Sequence, residues 1–366
     1  MPLAPRPCEG DARGLAGGFR TVNRIRGVRR LVPLASMALV LSACSLTNPD
    51  GVLDSLAPEG PIAEDLAGLY WMVFWIAAVI FVLVQGGLVY TIIKYRARRD
   101  DAEEPKQIHG NPRLEVVWTV IPVIILAAIS VPTVQRVFKY TECAPDAYHV
   151  DVIGHQWWFE YYYPDADVWT ANELVIPTNQ EVCLTMESED VLHNFWIPKL
   201  NGKRYLVPGQ ETTLLMLADD EGEYYGHCAE FCGLSHARMR MRVIAVSPAD
   251  FDQWLVDQAE TAVMPADGSL AAEGLDVFNA QACTSCHLVR GVSTDSASNE
   301  SLIGPDLTHF NSRGSFAGST LEHENPGELA MWLEDPPTWK PGSFMPNLNL
   351  TPEQIEALEA YLRSLD

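Results

Sequence analysis

Cysteine, histidine and methionine recur at metal-ligand spacing in one short stretch. It reads His227-Cys228-Ala229-Glu230-Phe231-Cys232-Gly233-Leu234-Ser235-His236-Ala237-Arg238-Met239, a C-x3-C-x3-H-x2-M pattern. Two thiolates, an imidazole and a thioether form a soft donor set, of the kind that selects copper, zinc or an iron–sulfur cluster. Methionine beside histidine and cysteine favours copper over zinc, whose sites rarely use it. A mononuclear copper site needs one cysteine, whereas two bridging thiolates can hold two ions. An electron shared over both ions spreads the geometric change on reduction. A second imidazole is then required, and His193, on a different loop of the same region, is the candidate. A Cys228–Cys232 disulfide is the competing reading outside a cell, and the His and Met at ligand spacing argue against it.

A second motif, Cys283-Thr284-Ser285-Cys286-His287, is CxxCH. This is the pattern of covalent heme c attachment: each thiol adds across a heme vinyl group, and the histidine reaches the iron. A redox or zinc CxxC is the alternative. Met345, in Pro341-Gly342-Ser343-Phe344-Met345-Pro346, is the candidate sixth iron ligand. Met331 beside Trp332 reads instead as core, and His309 or His323 would give a bis-histidine heme.

Elements must hold these groups. Around the first motif, short strands such as Tyr148–Ile153, Glu181–Met186 and Arg240–Val246 alternate with Pro, Gly and Asn turns. Such a run of about 100 residues reads as a β-sandwich or Greek-key barrel. Around the second, a helix leads into CxxCH, a short helix covers Gly327–Glu334, and a last helix starts at Thr351-Pro352. Thr351 is its N-cap and Pro352 its first residue. Its Ile355, Leu358, Tyr361 and Leu362 share one face, the spacing for packing on the earlier helix. Cys143 and Cys183 carry no motif and suit either an extracellular disulfide or two buried thiols.

Upstream, RIRGVRR at 24–30, LVPLASMALV at 31–40 and Leu41-Ser42-Ala43-Cys44 have the parts of an export signal. Small residues before Cys44 resemble a bacterial lipobox, in which that cysteine is acylated after cleavage. Ala67 to Ile93 and Val116 to Gln135 contain no charged residue. The first run is about 40 Å of helix and the second about 30 Å, each long enough to cross a hydrocarbon core. The intervening Lys94, Arg96, Arg98, Arg99, Lys106 and Arg113 place that loop in the cytoplasm, so all that follows the second span lies outside. The expected order is 1–43 signal peptide, 44–65 external segment, 66–138 hairpin with cytoplasmic loop 94–113, 139–248 copper domain, 249–268 linker and 269–366 heme domain.

With the ligand motif and the paired spans in place, the sequence over about Leu66 to Val246 resembles cytochrome c oxidase subunit II. The tail from about Gly268 to Asp366 resembles a class I cytochrome c. The fold class implied is a two-helix transmembrane hairpin, then an all-β cupredoxin-like Greek-key domain, then an all-α cytochrome domain. By resemblance, Cys228 and Cys232 bridge the two coppers of a CuA centre and His193 and His236 each bind one. Met239 and the Glu230 carbonyl are weak axial ligands, and the Glu230 side chain binds magnesium at a subunit interface. Gly154-His155-Gln156-Trp157-Trp158-Phe159-Glu160-Tyr161 matches the family's aromatic segment, with Trp157 as the electron entry. Packed core aromatics would look the same. Phe159 stands where many relatives have Trp. Glu189 and Asp190, and more loosely Glu160, match acidic docking positions, although a solvated acidic face accounts for them equally. Glu115 matches a proton-channel mouth at the cytoplasmic end of the second span. The implied partners are subunits I and III, with a soluble or membrane cytochrome c or a cytochrome bc complex as donor. The implied location is a bacterial inner membrane, multi-pass, with both redox domains external, and the implied activity is the electron-entry function of a proton-pumping terminal oxidase.

Charge is consistent with this. Lys+Arg 25 against Asp+Glu 48 gives a net charge of -23 over 366 residues, which opposes nucleic-acid binding and suits either a basic protein partner or simple solubility of an exported protein. The ligands present argue against a quinol oxidase subunit, which would lack them. A nitric oxide reductase subunit would share the copper loop, and a tethered carrier without a catalytic partner would share both motifs.

Overall fold

The computed structural model of the chain describes residues 51–96, 107, 109–292 and 303–366. The export signal, Cys44, and Arg98, Arg99 and Lys106 of the basic loop lie outside these residues.

Two long helices come first: α1 (Pro61–Lys94) and α2 (Pro112–Lys139). Proline opens both, where a missing N–H costs nothing, and the Asn111 side chain caps α2 by accepting from Arg113 N and Leu114 N. Their most apolar windows bury no residue against protein. A helix that is apolar all round yet bare suits lipid. Pro122 and Pro132 sit within α2 without ending it. The helices are joined at one end, where the Asp65 carboxylate accepts from Arg136 Nη2 at 2.7 Å and the Tyr140 hydroxyl at 2.6 Å. That end also grips the β region. Glu59 N donates to Lys199 O, Ala63 N donates to Leu200 O, and Lys199 Nζ pairs with Glu59. The β region is thereby held at the mouth of the hairpin.

The β region has ten strands: β1 (Tyr148–His155), β2 (Trp158–Tyr163), β3 (Val168–Ala171), β4 (Glu173–Pro177), β5 (Val182–Ser188), β6 (His193–Phe195), β7 (Arg204–Leu206), β8 (Thr212–Met216), β9 (Gly222–His227) and β10 (Arg240–Val246). One sheet runs β3-β2-β1-β5-β8, a second β4-β10-β9, and β6-β7 form a ribbon. The β1–β5 and β4–β10 pairs are parallel, which requires crossover connections and excludes a simple meander. Their inner faces enclose Val150, Val152, Phe159, Tyr161, Leu184, Met186 and Val243, all fully buried. A disulfide joins Cys143, just before β1, to Cys183 in β5.

The stretch read as a linker contains a helix, α3 (Pro248–Ala259), with Ser247 capping Asp250 N. The C-terminal region follows: α4 (Leu270–Ala280), α5 (Glu328–Glu334), α6 (Pro336–Trp339) and α7 (Pro352–Leu362), with a short ribbon of β11 (Ser315–Phe316) and β12 (Leu321–Glu322). Thr351 and Gln354 form a reciprocal capping box on α7. Phe278 of α4 meets Tyr361 of α7 edge-on at 5.4 Å. A separate apolar core including Phe278, Leu329, Leu333, Leu358 and Tyr361 holds this region together.

Candidate functional site

The β9–β10 hairpin shapes the first site. Its register pairs Arg240 with His227, and Cys228 N donates to Met239 O at 2.9 Å, so both ends of the twelve-residue ligand loop are pinned together. A 3-10 turn, His236–Arg238, turns His236 back over the loop. His193 arrives on β6. Ala229 N donates to Asn194 O and His227 N to Trp196 O, fastening that ribbon to the loop base. On β1, Gly154 leaves room for the imidazole, since a Cβ there would sit 2.9 Å from His193 Cδ2.

The six expected donors converge. Cys228 Sγ and Cys232 Sγ are 3.8 Å apart. His193 Nδ1 lies 3.9 Å from Cys228 Sγ, and His236 Nδ1 lies 3.5 Å from Cys232 Sγ. Glu230 O is 3.2 Å from Cys228 Sγ, and Met239 Sδ is 3.7 Å from Cys232 Sγ. His193, Cys228, Cys232 and Met239 are buried. A paired sulfur core with an imidazole nitrogen at each end fits two soft ions better than one. The thiols titrate as a pair. Cys228 is pulled down to about 3, chiefly by the Cys232 S–H, with help from His193 and the backbone at Glu230. Cys232 is pushed up, because its proton is the one the pair shares and because it is buried. A cation replacing that proton relieves the conflict.

His193 is oriented from behind. Its Nε2 lies 2.7 Å from Asp190 Oδ1, leaving Nδ1 for the sulfur side. Asp190 also accepts from Gln156 N and Val191 N, each at 2.6 Å. Burial opposes its charge, but these donors hold its carboxyl below the usual range. Asp190, a docking position by resemblance, is partly exposed, and its carboxylate bonds the ring of His193. Glu189 is exposed, and Glu160 is buried against His155 Nε2 at 3.1 Å. Glu230 is half-buried, and hydrogen bonding to its carboxylate raises the Tyr205 phenol. Among the described residues no oxygen cluster for a cation forms around it. Glu115 is exposed in the first turn of α2.

The second site is a cavity of about 400 Å³. Cys283, Cys286, His287 and Met345 line it, together with Leu307, Phe310, Phe316, Leu329, Trp332 and Leu333. His287 Nδ1 lies 2.8 Å from Pro305 O, which fixes the ring and turns Nε2 the other way. Gly304 is packed on that ring, where a Cβ would come within 2.6 Å of His287 Cε1. An apolar slot with two thiols, an oriented imidazole and a thioether fits a covalently attached heme. Met331 does not line the cavity. Neither do His309, whose nitrogens face Asp366 O and Glu260 O, and His323, which sits against Phe310 and Phe316.

The aromatic segment joins the sites. Trp157 is 5% exposed, lines the cavity, and donates from Nε1 to Cys232 O at 3.0 Å. Gln156 Nε2 donates to the same carbonyl at 2.6 Å. Gln156, Arg313 and Lys340 were not singled out from sequence. Each is isolated in the chain, and only the folded contact gives it meaning.

Comparison with known proteins finds relatives for each region of the chain. Residues 57–135 match the family model for the cytochrome C oxidase subunit II transmembrane domain, 166–246 its periplasmic domain, and 271–366 cytochrome c. The chain is similar to cytochrome c oxidase subunit 2 of Alkalihalophilus pseudofirmus, 35% identical over 92% of this chain and 96% of that protein. It is likewise similar to cytochrome c oxidase subunit 2 of Bacillus sp. strain PS3, 34% identical over 90% and 95%. The solved periplasmic domain of subunit II of cytochrome oxidase from Bradyrhizobium japonicum is 27% identical, covering 32% of this chain and 96% of that one, with a TM-score of 0.31.

Proposed function

This chain belongs to the cytochrome c oxidase subunit II family, and we propose that it is the electron-entry subunit of a respiratory terminal oxidase. It is a subunit of an enzyme complex and a multi-pass inner-membrane protein with its soluble region outside. The observation that carries the proposal is the pair of sulfurs 3.8 Å apart with an imidazole nitrogen beside each.

Cys228 and Cys232 would bridge two copper ions, His193 and His236 would bind one each, and Met239 and the Glu230 carbonyl would complete the set. Cys283 and Cys286 would carry heme c, with His287 and Met345 as its axial ligands. When bound, these groups supply reversible one-electron chemistry at low reorganisation cost. The protein does the rest. Asp190 aims His193, Pro305 O aims His287, and the buried walls keep water from both sites. Trp157 provides a short route between them, because its ring borders the cavity and its N–H is bonded to a copper ligand's carbonyl.

The acceptor would be the catalytic subunit I, where oxygen is reduced to water with proton pumping, and subunit III would complete the complex. Phe231 and Leu234 on the ligand loop are 78% and 80% exposed, an apolar face suited to such a partner. A magnesium ion at Glu230 would need further oxygens from that partner. Glu115 would mark a proton-channel mouth at the cytoplasmic side. A cytochrome c or a cytochrome bc complex would be the donor, with Glu189 on the docking surface and Cys44 as a lipid anchor. The domain limits would be those expected, except that α3 (Pro248–Ala259) packs on the copper domain rather than forming a bare linker.

Metal and heme analysis of the purified full-length chain, loaded with copper, tests this. Two coppers and one heme c per chain are expected, with an electron spin resonance signal from one electron shared over both copper nuclei. One mononuclear copper, or zinc alone, would overturn the dinuclear assignment and leave a tethered cytochrome. Turnover of the assembled complex on oxygen rather than nitric oxide identifies the acceptor.

A further inference from the structure

The C-terminal region reaches the copper ligand loop through one strained turn. It links β11 to β12, and Ala317, Gly318 and Ser319 all take left-handed φ, at 53°, 75° and 48°. Residues with a side chain visit that conformation singly and at a cost, so two of them flanking a glycine persist only where the surroundings impose it. The stem of this hairpin is pinned, because Glu173 of β4 accepts from Gly314 N at 3.0 Å and from Ser315 Oγ at 2.6 Å. The turn then extends the edge of β4. Arg242 N of β10 donates to Asn172 O at 2.8 Å, just before β4, and two residues earlier Arg240 N donates to Gly318 O at 3.0 Å. Thr320 Oγ1 donates to Arg238 O at 2.9 Å. The contact is tight, since a Cβ on Gly318 would lie 2.8 Å from both Arg238 O and Trp157 O.

These bonds fall on either side of one ligand. Arg238 and Arg240 flank Met239, whose own N–H and carbonyl are bonded within the loop, to His236 O and Cys228 N. Met239 is fully buried, with Sδ 3.7 Å from Cys232 Sγ. Resting on the reading that this loop holds copper, we infer that the 317–320 turn is a positioning element for the copper site. Gly318 and Thr320 fix the backbone on both sides of Met239 and so set how closely its thioether approaches the metal. A weak axial donor is the adjustable member of such a ligand set, and it tunes the reduction potential. Groups that orient a ligand from behind are part of the site as much as the ligand is. Here they belong to the region that carries CxxCH, so seating that region adjusts the copper site.

The test uses the full-length, copper-loaded protein and compares wild type with T320V, T320S and G318A. It reads the copper midpoint and the copper hyperfine splitting of the spin resonance signal. T320V keeps the side chain's shape and loses the hydroxyl. A thioether held less firmly stabilises oxidised copper less. T320V should therefore shift the copper reduction equilibrium about threefold toward the reduced state, a rise of about 28 mV for one electron, and change the splitting. G318A, whose methyl presses on Arg238 O, should shift it about tenfold, or about 59 mV. T320S keeps the hydroxyl and should stay at wild type. The heme midpoint should not move in T320V, because Thr320 does not line the heme cavity. A lower unfolding midpoint in T320V with wild-type copper midpoint and splitting would overturn the inference and leave the turn a structural contact only. Equal shifts of the heme and copper midpoints would also overturn it, since they would report separation of the two regions. If G318A fails to accumulate, T320V decides alone by the same readings. A wild-type chain with no dinuclear copper signal would instead refute the functional reading beneath it.

Discussion

At the residue scale, the ligands and their supports were not equally legible. Cys228, Cys232, His236 and Met239 share one loop, so their spacing alone reports a donor set. His193 is 35 residues from Cys228, and choosing it required assuming a second loop. Asp190 has a partner that its sequence neighbours do not announce. An acid beside exposed Glu189 resembles a surface charge until the fold shows three donors converging on it. D190A removes the acceptor that fixes His193 Nε2 and frees the ring to turn. Loss of such an outer partner usually costs about 10–100-fold in metal affinity, and we expect that range for copper, read by chelator competition. Affinity equal to wild type would show that burial alone orients His193.

At the element scale, caps and apolar runs carried the reading. Thr351-Pro352 announced α7, and the uncharged stretches announced α1 and α2. The same signal preceded α3, where Ser247 caps and Pro248 takes the first position, but its short amphipathic pattern lay in a stretch read as connection. Strand pairing was beyond reach, since β1 with β5 and β4 with β10 are parallel contacts between distant segments. The contact of α4 with α7 turns on Gly274, where a Cβ would overlap the Ala357 backbone and crowd Tyr361. G274V must push the helices apart, and overpacking of this kind costs about 1–3 kcal/mol. Denaturant unfolding followed at the heme should shift to lower midpoint, while the copper signal, held by a separate core, should not. Equal shifts in both would mean that the two cores unfold as one.

At the scale of the whole molecule, the cytochrome region is seated on the copper region through bonds that touch the ligand loop itself. Arg240 N donates to Gly318 O at 3.0 Å, Thr320 Oγ1 to Arg238 O at 2.9 Å, and Ser235 Oγ to Pro341 O at 2.7 Å. Arg242 pairs with Glu223 of the same sheet and with Glu322 across the seam. Such contacts are short-ranged and mostly buried, so salt screens them little. A donor arriving from solution meets a chain of net charge -23, whose field acts over about a Debye length, ~8 Å at physiological salt. The two transfers should therefore separate in kinetics. Reduction of the heme by a basic donor should be second-order and slow about tenfold from low to physiological salt. Onward reduction of the copper site should be first-order, independent of protein concentration, and nearly salt-independent, as expected for a tethered and docked pair. Stopped-flow mixing at two wavelengths, one for heme and one for copper, resolves both steps. Copper reduction that scales with donor concentration and follows the same salt curve as the heme would mean that the donor reaches the copper site directly, and that the seam around Trp157 opens during turnover.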